Sequence, residues 1–114
     1  MQIAVFRLAA LALLPDAAIL MYIMKKTLQI ALKNKYGMHV RPSTTLAQLA
    51  NRYSSRITVA AAGGEAVDCK NIMMLMTLGA TCGTLLSFEA DGDDAEEAIG
   101  EIEKLVEGHF GGIE

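Results

Sequence analysis

The sequence predicts an α+β fold, a four-stranded antiparallel sheet with helices packed on one face. Three observations carry this. Several short runs alternate apolar and polar residues with a period of two, as half-buried strands do. Between them lie stretches with apolar residues three and four apart, as in amphipathic helices. The resulting order is strand, helix, strand, strand, short helix, strand, helix, and hairpin-linked strands in such an order favour antiparallel pairing.

The elements follow in chain order. In "KTLQIALKN", Leu28, Ile30 and Leu32 point to one side of a strand. "KNKYG" reads as a loop. From Arg41 onward, Leu46, Leu49, Ala50 and Tyr53 fall at helical spacing. "RITVAAA" alternates again, with Ile57, Val59 and Ala61 on one face, and Gly63-Gly64 signals a turn into the short strand "EAVDC". "NIMMLMTLG" is a short apolar helix that Asn71 can cap and Gly79 can close. "GTLLSFEA" is a strand with Leu86, Phe88 and Ala90 inward, and "DGDD" is a turn. The last helix gathers Ala95, Ala98, Ile99, Ile102, Leu105 and Val106 on one face. Asp93 and Glu96 have capping-box-like spacing at its start, and Gly108 is placed to end it.

The chain of 114 residues suits one compact domain, and 53% hydrophobic with 20% charged residues suits a globular one. A net charge of −3 argues against a nucleic-acid partner. Cys69 and Cys82 form no metal-binding spacing with the two histidines, and read as free thiols of a cytoplasmic protein, with a disulfide as the alternative. Residues 1–23 are an apolar extension carrying only Arg7 and Asp16 as charges. Pro15 and Asp16 interrupt what would otherwise be a membrane span. The extension reads as upstream of a true start at Met21 or Met24, with a weak signal or anchor as the alternative and membrane contact only in that case. Residues 24–110 form the expected domain and 111–114 a tail.

The acids from Asp91 to Glu103 lack calcium-loop spacing and read as a helix start followed by a solvated face. His109 has no evident partner. His39, in "YGMHVRPSTTLAQLA", is different. A helix starting just after it would place its imidazole over unbonded N–H groups, which attract anions. Pro42 costs nothing in a first helical turn. Arg41 adds a permanent cation whose planar donors suit phosphate oxygens. A neutral imidazole nitrogen can act as a nucleophile. A cap or a plain surface residue is the competing reading for a lone histidine. With no Walker-type glycine loop, any phosphoryl group must come from another protein.

The segments "GMHVRPSTTLAQLA", "RITV" and "KNIMMLMTLGATCGTLLSFEADGDDAEEA" closely resemble the HPr family, the histidine-containing phosphocarriers of the bacterial phosphoenolpyruvate:sugar phosphotransferase system. The resemblance spans about residues 25 to 107. It implies an open-faced β-sandwich of order βαββαβα, a carrier rather than an enzyme, no cofactor or metal, and a monomer. It makes His39 the phosphorylated residue, at its pros-type ring nitrogen, and Arg41 the stabiliser of the phosphoryl group. It implies Enzyme I as donor and IIA-type components as acceptors. A regulatory, nitrogen-related relative acting on other proteins is the alternative. Where many members carry a kinase-target serine, this chain has Asn71, which caps a helix equally well but has no hydroxyl. The family's partner surface implies Thr44, Gln48, Ile72, Met73 and Met76 as contacts. Methionines suit a surface that must fit several partners.

Overall fold

The computed structural model describes residues 24–114. The reading of residues 1–23 as an extension lies outside the described residues. Strand β1 (Lys25–Ala31) leads through a loop to helix α1 (Val40–Ala50). Strands β2 (Arg56–Ala61) and β3 (Val67–Asp68) form a hairpin. Helix α2 (Ile72–Met76), strand β4 (Leu85–Asp91) and helix α3 (Ala95–Glu107) follow. A final turn, α4 (His109–Gly112), has left-handed backbone at His109 and Phe110 as well as at its glycines. The sheet order is β1-β4-β2-β3, all antiparallel, so the α+β order expected from the sequence is the order observed.

Register explains the core. Leu28, Phe88, Val59 and Val67 lie on one row across the four strands. Ile30, Leu86 and Ala61 form the next row, and Ala90 with Ile57 another. With side chains alternating between faces, these rows all point to the helical layer. Against them pack Leu46, Leu49 and Ala50 of α1, Leu75 of α2, and Ala98, Ile102 and Val106 of α3. The opposite face carries Thr27, Gln29, Ser87, Glu89 and Thr58, polar residues that need no cover. Cys69 is in the core, where burial pushes its thiol to about 12, while Cys82 is exposed; both are free.

The helix ends differ from expectation in one place. Asn71 does cap α2, its side-chain oxygen accepting from the Met74 amide at 3.1 Å. The expected Asp93–Glu96 capping box does not form: the residue at the start of α3 is Asp94, and it makes no capping bond. Its carboxylate instead accepts from the backbone amides of Ser54 and Ser55, at 2.9 and 3.0 Å, and from both serine hydroxyls. Four donors outbid one helix amide. They tie the α1–β2 turn to the β4–α3 turn, and the Ser55 hydroxyl above all holds the Asp94 carboxyl down at about 2.

Candidate functional site

The loop from Leu32 to His39 is built around a buried asparagine. Asn34 donates from Nδ2 to the Gly37 carbonyl at 2.6 Å, and its own carbonyl accepts from the Gly37 amide at 3.2 Å. This tight turn needs a left-handed residue, and Gly37 supplies it at φ +71°. Glycine is also needed for room: a Cβ there would sit 2.4 Å from the Ala80 carbonyl oxygen and 2.8 Å from Thr81 Cα. The next amide, Met38, donates to that same Ala80 carbonyl at 3.0 Å. Met38 is buried, so the loop is nailed to the core on one side while His39 emerges on the other, half-buried.

His39 occupies the position just before α1, with extended backbone, and its side chain makes no cap bond. Its carbonyl starts the helix by accepting from Ser43 N–H at 3.0 Å. The imidazole is therefore not used as a cap. Its Nε2 lies 3.2 Å from the main-chain oxygen of Glu114. That oxygen can only accept, so in the neutral ring Nε2 carries the hydrogen and Nδ1 carries the lone pair. The same oxygen accepts from the Tyr36 amide and from Asn34 Nδ2, both at 3.4 Å. Residues 111–114, expected as a tail, thus fold back over the loop, with Ile113 packed on the core and Phe110 buried just before them.

Arg41 is exposed in the first turn of α1, and among the described residues no carboxylate pairs with it. The amides of Val40 and Arg41 begin the helix and have no carbonyl four residues back to bond. Pro42, buried beneath them, presents no N–H. The site combines a histidine with a free Nδ1, an exposed guanidinium and the positive end of an 11-residue helix. That set suits a dianionic group attached to a ring nitrogen. It contains no metal cluster: no group of histidine, cysteine or acid side chains among the described residues could hold an ion.

The expected partner contacts divide by location. Ile72, Met73 and Met76 are exposed on α2, Met73 most at 72%, because only Leu75 of that helix turns into the core. Met74, not among the expected contacts, is as open as Met76. Its exposure follows from a five-residue helix held by one inward side chain. Thr44 sits half-buried on α1, its hydroxyl donating to the Val40 carbonyl at 2.8 Å. Gln48, one turn further along the same side of α1, is exposed and lines a groove with Arg52, Glu101, Lys104 and Leu105 between α1 and α3. Sequence reasoning missed Asn34, Tyr36 and Val40. The aromatic three residues before His39 was the available signal for Tyr36.

Residues 26–108 match the family described as the PTS HPr component phosphorylation site. The chain is 38% identical over 78 residues to phosphocarrier protein HPr of Cupriavidus necator, covering 68% of this chain and 86% of that one. It is 34% identical over 82 residues to a multiphosphoryl transfer protein of Haemophilus influenzae, covering 70% of this chain and 16% of that longer protein. Among solved structures, HPr of Thermoanaerobacter tengcongensis superposes with a TM-score of 0.72 at 41% identity, over 75% of this chain and 96% of that one. With the sheet order, the histidine at the head of α1 and these matches in agreement, the chain belongs to the HPr family of phosphocarrier proteins of the phosphotransferase system.

Proposed function

We propose that His39 accepts a phosphoryl group on Nδ1 from phospho-Enzyme I and passes it to IIA-type components in the cytoplasm. The observation that carries this is the contact between His39 Nε2 and the Glu114 main-chain oxygen, because it leaves Nδ1 as the nucleophile. In the forward step the Nδ1 lone pair attacks phosphorus as the donor's phosphorus–nitrogen bond breaks. Positive charge arising on the ring is shared through Nε2–H with the oxygen that accepts it. Arg41 and the first-turn amides of α1 then hold the phosphoryl oxygens. The phosphate originates from phosphoenolpyruvate, and the chain relays it without turning over a substrate of its own.

The exposed apolar side chains of α2, with Thr44 on α1, form the docking surface for donor and acceptor in this reading. Gln48 belongs to its edge. Residues 24–110 are the working unit, with residues 111–114 closing over the site. Among the described residues no helix is long and apolar enough to cross a membrane. Asn71 keeps the helix cap and, lacking a hydroxyl, accepts no phosphate from the kinase that acts on many relatives. The test is incubation with phosphoenolpyruvate and Enzyme I. An acid-labile, base-stable phosphate is expected on the wild type and none on His39→Ala; phosphate on His39→Ala overturns the assignment.

A further inference from the structure

Tyr36 has no role in the core. It is 65% exposed, in a loop where a polar residue would cost nothing. Yet its position is tightly fixed. The Asn34–Gly37 turn holds its backbone from both sides, and its amide donates to the Glu114 main-chain oxygen at 3.4 Å. This is the oxygen that faces His39 Nε2. The Tyr36 ring meets the His39 ring edge to face, centroids 6.4 Å apart and planes at 77°. That lies within the favourable range for aromatic pairs. On Tyr36 itself, the Lys35 ammonium stands 5.2 Å from the ring centroid, near enough for a cation–π contact that steadies the ring.

We propose that Tyr36 is a positioning residue for phosphoryl transfer at His39, limiting rotation of the imidazole by this edge-to-face contact. The proposal rests on His39 being the phosphoryl acceptor. Its physical basis is directional. The phosphorus must approach in the plane of the imidazole, along the Nδ1 lone pair, and a tilted ring misses that line. The hydrogen bond at Nε2 fixes one end of the ring but leaves rotation about the bond through that contact. Tyr36, set at 77° to the imidazole, restricts that rotation. The aromatic ring does this work; its hydroxyl takes no part.

The experiment measures phosphoryl uptake from phospho-Enzyme I as a function of carrier concentration, with His39 ring-proton shifts recorded by NMR. Tyr36→Ala is expected to lower the maximal rate by about threefold to tenfold, the scale of one aromatic pair, with KM unchanged. Its His39 ring protons are expected to lose the ring-current shift of the wild type. Tyr36→Phe is expected to keep both rate and shift. The inference is overturned if Tyr36→Ala transfers at the wild-type rate. It is equally overturned if KM alone rises, which would make Tyr36 a docking residue, or if Tyr36→Phe is as slow as Tyr36→Ala. His39→Ala separates the two levels: uptake by that variant removes the histidine reading itself. Its loss there, with Tyr36→Ala unimpaired, removes only the role of Tyr36.

Discussion

Replacing Gly37 by alanine perturbs the loop that presents His39 at a single atom. Two terms set the cost. Alanine in the left-handed region, at φ +71°, costs about 1 kcal/mol, the lower end for such backbone. The added Cβ also meets the Ala80 carbonyl oxygen at 2.4 Å, where real Cβ contacts do not go below 3.0 Å. Backbone stands on both sides of this contact, so the loop must move. Moving it stretches the Met38–Ala80 and Asn34–Gly37 hydrogen bonds, worth about 1 kcal/mol each. The expected total is roughly 3 kcal/mol. Gly79 supplies the control. Its φ is +64° but a Cβ there meets nothing within 4 Å, so Gly79→Ala should lose only the conformational part, about 1 kcal/mol. Thermal unfolding reads the difference: about 5 °C lost in Gly79→Ala and roughly 15 °C in Gly37→Ala, for a domain of this size. Phosphoryl uptake at a temperature where both are folded should fall in Gly37→Ala alone, since only that loop carries His39. Equal destabilisation of the two variants, or wild-type uptake by Gly37→Ala, would refute the steric argument.

Other consequences are equally direct. Leu75→Ala removes the one inward side chain of α2 and should cost 2–5 kcal/mol, roughly, in a denaturant titration, whereas Met73→Ala should stay within about 0.5 kcal/mol of wild type while weakening transfer. Asn71→Ala should cost about 1 kcal/mol by loss of the α2 cap and Asn71→Ser nearly nothing, read by the same titration. Asp94 gives a pH dependence of known sign. Its folded value, about 2, lies below the ordinary carboxylate value, so its stabilisation is complete above that ordinary value and fades as pH falls toward 2. Denaturation midpoints from pH 5 down to 2.5 should therefore fall more steeply for the wild type than for Asp94→Asn; parallel curves would show that the serine cluster contributes nothing.

Much of this was legible in the sequence because it depends on period and chemistry. The inward rows of the sheet follow from alternation in "TLQIAL", "ITVAA" and "LLSFEA", and each of those strands is present in its expected place. The cap at Asn71 and the helix beginning directly after His39 are local features and were readable as such. The rest depends on pairs far apart in the chain. Asp94 reads as an ordinary helix-start acid until β2 brings Ser54 and Ser55 to it, some forty residues away. The Glu114 oxygen reaches His39 across seventy-five positions, and only because Phe110 is buried and the backbone turns left-handed at 109–112. A reading of "GGIE" as a tail has no way to contain that contact. Gln48 shows the same limit on a smaller scale. Helical spacing places it on the polar side of α1, but which neighbour that side faces was decided by the packing of α3.

The central claim is that Nδ1 of His39 carries the phosphoryl group, and ring-nitrogen NMR of the phosphorylated chain tests it most directly. The protein would be labelled with nitrogen-15 histidine and phosphorylated with Enzyme I and phosphoenolpyruvate. Its two histidines, His39 and His109, would then be followed by phosphorus–nitrogen coupling. The account predicts coupling to Nδ1 of His39, with the hydrogen retained on Nε2, and an unchanged His109. Coupling to Nε2 of His39, or any coupling at His109, would contradict it.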